Sequence, residues 1–437
     1  MKQTRQIIRL ALPLILQLIC LQLQVWIDQA MLGHVNVEYF SAVGNSTAPY
    51  HTITSAITAI CSGTAILVAH SIGAGDKQRV REIAQSSLLG STLMSIAAFL
   101  FFFFGSEGLF RMMGLQSPIL EYSLSYIRVL ALSALILGPV SAANSIAQGL
   151  GFTKIIMISG VTGNILNIFL DWVLIFGHFG LPAMGLTGAA WATVIANFCA
   201  APISLLFVLR SRQMPVRLQF RESFGKLLRP YRQVLTLGIP SGLEASLFNL
   251  GNLVLMSFLN RLDMAAAGIY TLVFSIELVP LLITNGFANA GLTLVGQSTG
   301  AHDMKMAKSA GLKSLYLSEI VCVLVSILFL LIPREILSLF TPDVHTLDTA
   351  VPYLMFICCI LFPKTINNVM GPAIRAMGDT RWMLYTQIFG TVFTIAAGYW
   401  LILCSGLGLM GIFVTLLADE ALRGFANLIY FLRKTRI

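Results

Sequence analysis

Val68–Asp76 reads V-A-H-S-I-G-A-G-D, and 227 positions later Val295–Asp303 reads V-G-Q-S-T-G-A-H-D, with five of the nine positions identical. The same offset pairs Pro13 with Pro240, Tyr126 with Tyr353, Gly151 with Gly378 and Thr153 with Thr380. One offset held along the whole chain means two copies of a single unit, and a fixed-period repeat decides the fold. Each copy is almost wholly apolar, so the unit is a membrane unit.

Composition agrees. Of the 437 residues, 57% are hydrophobic and 11% charged, where a soluble protein carries about 25% charged residues. The mean hydropathy is +0.82. These values exclude a soluble globular enzyme. The seven cysteines all fall in apolar stretches without zinc spacing, and they are expected to be small buried packing residues. The basic start, Met1–Leu10, runs into an apolar stretch that lacks a small-residue cleavage site and carries Gln17, Gln24 and Asp28. It is expected to be a retained first helix.

A spanning helix needs about 20 largely apolar residues. Twelve stretches qualify: 7–31, 46–70, 83–105, 122–148, 156–177 and 185–209, then 233–258, 266–296, 310–332, 349–374, 382–404 and 408–432. The expected fold is therefore an all-α polytopic membrane protein with twelve transmembrane helices in two pseudo-symmetric six-helix lobes. Residues 1–209 form the N-terminal lobe, 210–232 a basic cytoplasmic linker and 233–437 the C-terminal lobe. With the N-terminus cytoplasmic, that side carries 22 Lys and Arg against three (Arg111, Arg261, Arg334) opposite. This bias sets orientation, puts both termini in the cytoplasm, and makes the net charge of +9 a topology signal, not a nucleic-acid footprint. Six spans per copy point both copies the same way.

Charge at mid-membrane costs at least about 2.5 kcal/mol on insertion scales, so such residues are functional candidates. Gln17, Gln24 and Asp28 share one face of the first helix; Asn164, Asn167 and Asp171 share one face of the fifth. Thr193 lies early in the sixth. An aspartate in low dielectric can take up and release a proton, and the oxygens of Asp28, Asn167, Asp171 and Thr193 equally suit Na⁺. Glu244 and Glu277 lie deep in the seventh and eighth segments, as acidic walls for a cationic substrate or as partners of Lys364, which shares a stripe with Asn368, Gly371 and Arg375. Thr47, His51, Thr54 and Thr58 form a stripe in the second. Gln24, His51, Asn164, Glu244 and Glu277 are the substrate-cavity candidates. Glu319 is expected near a helix end on the lipid side, and Asp419 with Arg423 as a structural pair. Pro13, inside the first helix, frees a carbonyl and permits bending. Gly73–Gly75 and Gly300–His302 are expected to stop helices, with Asp76 and Asp303 capping the next.

The repeated residues are also landmarks. With L-P at Leu12–Pro13, D-Q-A-M-L-G at Asp28–Gly33, Q-G-L-G-F-T at Gln148–Thr153, N-I-F-L-D at Asn167–Asp171, G-A-A-W-A-T at Gly188–Thr193 and R-A-M-G-D-T-R at Arg375–Arg381, the chain resembles the multidrug and toxic compound extrusion (MATE) family over essentially its full length. The resemblance implies two six-helix lobes opening alternately to either face. It implies export of cationic or amphipathic drugs driven by H⁺ or Na⁺, with no cofactor beyond the transported ion. It also places the ion site on Asp28, Asn167, Asp171 and Thr193, and a hinge at Pro13. Many relatives carry a glutamate eight residues after the second repeat's proline; here that residue is Phe248, with Glu244 one turn earlier. An aspartate found in the tenth helix of some relatives is also absent.

Other readings meet specific obstacles. G-A-G-D at Gly73–Asp76 imitates an intramembrane protease motif, but lies in a loop, and its repeat copy lacks the second glycine. No G-x-x-x-x-G-K-[ST] occurs, so ATP is not the direct energy source. No filter loop or charge ring marks a channel. A flippase for a lipid-linked saccharide shares the twelve-helix plan and would need a basic cavity. Here Asp28, Asp171, Glu244 and Glu277 outnumber Arg128 and Lys364 at mid-membrane, which favours cationic amphiphiles as substrates. The expected setting is the plasma membrane (the inner membrane of a bacterium), with the lipid bilayer as surroundings, no nucleic-acid partner, and a monomer as the working form.

Overall fold

A backbone in hydrocarbon must satisfy its own N–H and C=O groups, so each long apolar stretch becomes a helix. The computed structural model describes residues 2–35, 37–218, 224–262, 264–341 and 343–436. The helices of the first repeat are α1 (Lys2–Val35), α2 (Val37–Gly73), α3 (Lys77–Met112), α4 (Ile119–Leu150), α5 (Thr153–Phe176) and α6 (Gly185–Arg210). A short α7 (Phe224–Leu228) lies in the linker, whose residues 219–223, Arg221 among them, are outside the described residues. The second repeat gives α8 (Tyr231–Leu262), α9 (Met264–Gly300), α10 (Met304–Leu331), a short α11 (Pro333–Ser338), α12 (Val344–Ala376), α13 (Thr380–Gly398, continued by a π-helical turn Tyr399–Cys404) and α14 (Leu409–Lys434). No strand occurs among the described residues.

Twelve long helices thus stand where twelve spans were read. Among the described residues, eleven are long and apolar enough to cross a membrane. The twelfth, α14, carries Asp419, Glu420 and Arg423, all buried. Several helices overrun the expected edges because they continue into polar ends where caps stop them. Asp76 accepts from the Arg79 N–H at 2.9 Å and Asp303 from the Met306 N–H at 2.8 Å, each opening a helix. Before each cap the chain takes a left-handed turn. Gly75 supplies it in the first repeat (φ 75°), and its repeat partner His302 adopts it as a non-glycine (φ 59°).

The helices gather into two compact units, residues Leu16–Gly242 and residues Met1–Ile15 with Leu243–Ile437. Unit membership changes inside α1 and α8, not in the linker. Both changes come two residues past the repeat-paired prolines, Pro13 and Pro240, and they are 227 residues apart like the repeat itself. Close backbone approach explains it. The first turns of α8 lie on α2, where a Cβ at Gly63 would stand 2.6 Å from the Val234 carbonyl oxygen, and Gly238 meets the backbone of Ile60. Reciprocally, Gly286 of α9 admits Ile15 of α1. Only glycine allows such contacts, so each repeat's leading helix starts in the other repeat's unit.

Apolar side chains fill each unit, Phe102, Phe110 and Ile127 in one and Leu259, Leu354 and Ile360 in the other. The cysteines depart from expectation. All seven are free thiols, but only Cys61 and Cys322 are buried, while Cys199, Cys359 and Cys404 are exposed.

Candidate functional site

In the Leu16–Gly242 unit, α1 lies against α5 at Gly160, where a Cβ would stand 2.6 Å from the Gln17 side chain. That approach brings the polar face of α1 onto the polar face of α5. The Gln24 amide donates to Asp28 Oδ2 at 3.1 Å and also reaches Asn167. Asn167 of α5, its amide oriented to satisfy both ends, donates to Asp28 Oδ2 at 3.3 Å and accepts from the Thr193 N–H of α6 at 3.1 Å. With its amide turned to satisfy both ends, Asn164 donates to Gln24 Oε1 at 2.9 Å and to the Gly160 carbonyl at 3.2 Å. Asn167 and Asp171 are buried, at 2% and 1% exposure. Six sequence-predicted residues, Gln24, Asp28, Asn164, Asn167, Asp171 and Thr193, therefore form one cluster.

At its centre the Asp28 and Asp171 carboxyl groups lie within interacting reach of one another. Each keeps one buried oxygen, Oδ1, without a donor. Two carboxylates repel unless a proton or a cation lies between them. Asn167 and Thr193 add further polar atoms beside the pair. Tyr126, a repeat landmark not read as part of the site, is buried within electrostatic reach of both acids. Its identity at a repeated position was the available signal. Among the described residues no group of three or more His, Cys, Asp or Glu has metal-holding geometry.

The remaining candidates lie elsewhere. His51 is exposed on α2, edge-on to the Tyr50 ring. Its stripe is not a polar wall, because Thr47, Thr54 and Thr58 each return their hydroxyl to a carbonyl four residues back, at 2.8–2.9 Å. Such back-bonding satisfies the hydroxyl within its own helix. Pro13 is enclosed in α1, two residues before the unit boundary.

Glu244 and Glu277 belong to the other unit, and each is paired. Lys364 Nζ of α12 meets Glu277 Oε1 at 2.7 Å, and Arg375 Nη1 meets both Glu244 oxygens at 2.8 and 2.9 Å. Spacing within one helix cannot show a partner on another, and here each acid is neutralised by a cation on α12. Arg128 likewise is no mid-membrane charge. It is half-exposed beside Glu107, at 3.7 Å, close to the end of α3. Glu319 is not near a helix end but in the middle of α10, with both carboxylate oxygens buried and unpartnered.

Asp419 and Arg423 do pair, Nε to Oδ1 at 2.9 Å. Around them is a network that helical spacing missed. Arg423 donates to Gln387 Oε1 at 2.8 Å, Asn367 to Glu420 at 2.8 Å, Asn427 to Asn367 at 2.8 Å, and the Trp382 indole to Asn427 at 2.8 Å. A lone Gln387 in an apolar helix was its trace. The repeat is broken here, since Asp28 and Asp171 correspond to Leu255 and Gly398, whereas Thr193 corresponds to Glu420.

Comparison with known proteins agrees with the repeat and the fold. A family model described as MatE matches residues 13–173 and again 240–400, the two matches displaced by the repeat offset. The chain is 28% identical over 442 residues to a "Probable multidrug resistance protein NorM" of Thermotoga maritima, covering 98% of this chain and 92% of that one. It is 26% identical over 401 residues to an "Uncharacterized transporter YisQ" of Bacillus subtilis, covering 91% and 87%. Among solved structures, an outward-facing multidrug resistance MATE family transporter of the MOP superfamily superposes with a TM-score of 0.91 at 21% identity, covering 99% of this chain and 96% of that chain. A MOP superfamily transporter from Pyrococcus furiosus, described as having a binding pocket of reversed polarity, gives 0.90 at 20%, with the same coverage. Such likenesses speak to the fold, and the family match over most of both repeats speaks to kinship: the chain belongs to the MATE family of multidrug efflux transporters.

Proposed function

We propose that this protein exports cationic or amphipathic organic compounds in exchange for H⁺ or Na⁺, and that the Asp28–Asp171 pair takes the driving cation. The observation that carries the reading is the pair itself: two carboxyl groups within interacting reach of one another, each with a buried oxygen lacking a donor. A proton or a cation between them relieves the repulsion and the missing hydrogen bonds together. When it leaves, the charges separate and α1 is pushed from α5. That gives cation binding a differential grip on two states, which any coupled transport requires. Export by alternating access of the two units, with α1 bending at Pro13, follows from the family plan. Multidrug substrates are supported by the names of the relatives. Lys364, Arg375 and Arg423 are each tied to a carboxylate, which removes the basic wall a lipid-linked saccharide phosphate would need.

The test is efflux from proteoliposomes containing the purified protein, with a Na⁺ gradient and a pH gradient imposed separately. Accumulation of a fluorescent organic cation against its gradient under one of them is the expected result. Transport that ignores both gradients would overturn the coupling assignment.

A further inference from the structure

At the end of the Met1–Ile15 and Leu243–Ile437 unit where its basic residues gather, an open cavity of about 470 Å³ lies between the start of α10 and the end of α14. Lys305, Lys308, Ser309, Leu312, Thr435 and Arg436 line it. Three of these six described residues are cations, and none of the six is a carboxylate. The nearby acids are occupied: Asp303 caps α10 through the Met306 N–H, and Asp379 is held by Lys434 and Tyr430. The two hydroxyls are occupied as well, Ser309 donating to Gln3 Oε1 at 2.7 Å and Thr435 to the Phe431 carbonyl at 2.8 Å. Recognition therefore falls to the cations, whose charge no carboxylate among the described lining residues cancels.

The walls are built, not incidental. Gln3 of α1 accepts from both Ser309 and Lys313 and donates to the Met306 carbonyl at 3.2 Å, which stitches the first turn of α1 to α10. Gly311 of α10 admits the Phe431 ring of α14, which closes the two helices on each other beneath the cavity. Below the charged rim the lining turns apolar. The stripe of Lys305, Lys308 and Leu312 continues down α10 to Tyr316, Val323 and Ile327, which are 67%, 53% and 48% exposed. Leu312 to Ile327 spans roughly 22 Å of helix, more than one leaflet of a hydrocarbon core about 30 Å thick.

We propose that this cavity binds the phosphate headgroup of an anionic phospholipid, its acyl chains lying along the exposed faces of α10 and α14. Basic pockets between spanning helices on one face of a membrane suit such headgroups. The apolar track below the rim distinguishes a lipid from a free phosphate, which would use the rim alone.

The experiment titrates the purified full-length protein with phosphatidylglycerol, phosphatidylcholine and inorganic phosphate, counting retained lipid by native mass spectrometry. Phosphatidylcholine has the same phosphodiester without net negative charge. Phosphatidylglycerol is expected to be retained preferentially and not to be displaced by millimolar inorganic phosphate. The double variant Lys305→Gln with Lys308→Gln should weaken retention roughly thirtyfold, about fivefold for each cation lost. Both side chains reach the surface, so folding should survive, and an unchanged melting temperature checks it. Lys77→Gln with Lys154→Gln, in the other unit, should retain lipid as the parent does. Equal retention of both lipids, undiminished retention by the first double variant, or equal loss in the control pair would each overturn the proposal. Displacement by inorganic phosphate would overturn it too and assign the cavity to free phosphate.

Discussion

Replacing Asp28 by asparagine separates coupling from folding. The amide keeps the shape of the side chain, and its oxygen still accepts from Gln24, whose amide stands 3.1 Å from Asp28 Oδ2. Its new N–H₂ faces Asp171, whose carboxylate then gains a donor in place of a repelling neighbour. The fold should therefore lose no more than about 1 kcal/mol, the net worth of an ordinary hydrogen bond. Coupling behaves differently, because the variant cannot share a proton with Asp171 and ligates a cation poorly. One elementary charge moved through the field is worth about 2.3 kcal/mol per 100 mV. Losing one coupled charge at about 100 mV should thus lower the substrate gradient the protein sustains by roughly fiftyfold. The assay is fluorescent-cation efflux from proteoliposomes at matched protein content, with the melting temperature in detergent as the folding control. Asp171→Asn and the double variant should each show the same loss as Asp28→Asn, since the two acids serve one site. Parent-like concentrative efflux by Asp28→Asn, or full losses that add in the double variant, would refute the reasoning.

Three further outcomes are expected. Lys364→Met leaves Glu277, 1% exposed, without its counter-ion and should cost about 3–5 kcal/mol, whereas Lys364→Met with Glu277→Gln should recover most of it; thermal denaturation of both variants decides, and a harmless single variant would contradict the pairing. Gly63→Ala sets a methyl group 2.6 Å from the Val234 carbonyl oxygen, a backbone atom that cannot swing aside, and should destabilise by about 1–3 kcal/mol; an unchanged melting temperature would show that α8 does not press on α2 there. Burial opposes ionisation of Asp379, but its bonds to Lys434 and Tyr430 prevail and hold its carboxyl below the usual range. A carboxylate lowered on folding stabilises above its unfolded pKa of about 3.9 and loses that contribution as pH falls through the lower folded value. The melting-temperature gap between the parent and Asp379→Asn should therefore be constant near neutrality and close below about pH 4, and a gap independent of acidification would tell against the clasp.

The twelve helices were legible in the sequence because hydrocarbon imposes one local rule: a run of about 20 apolar residues has no alternative to helix. The repeat was legible as well, since duplicated units keep Pro13 and Pro240, or Asp76 and Asp303, at one offset, and the caps at those aspartates follow from neighbouring backbone groups alone. Helical spacing also gathered Gln24 with Asp28 and Asn167 with Asp171, because residues four apart share a face. What spacing could not supply was which faces meet. That Asp28 stands within reach of Asp171 across two helices, whereas Glu277 and Glu244 are answered by Lys364 and Arg375, depends on packing between segments more than 80 residues apart. The changes of unit membership inside α1 and α8 had the same origin. They rest on glycines such as Gly63 and Gly238 letting two backbones approach, and a glycine in an apolar run does not announce which neighbour it admits. Local sequence therefore determined the helices and their polar faces, and tertiary packing alone decided which charges stand unanswered, because neutralisation is a property of pairs and not of residues.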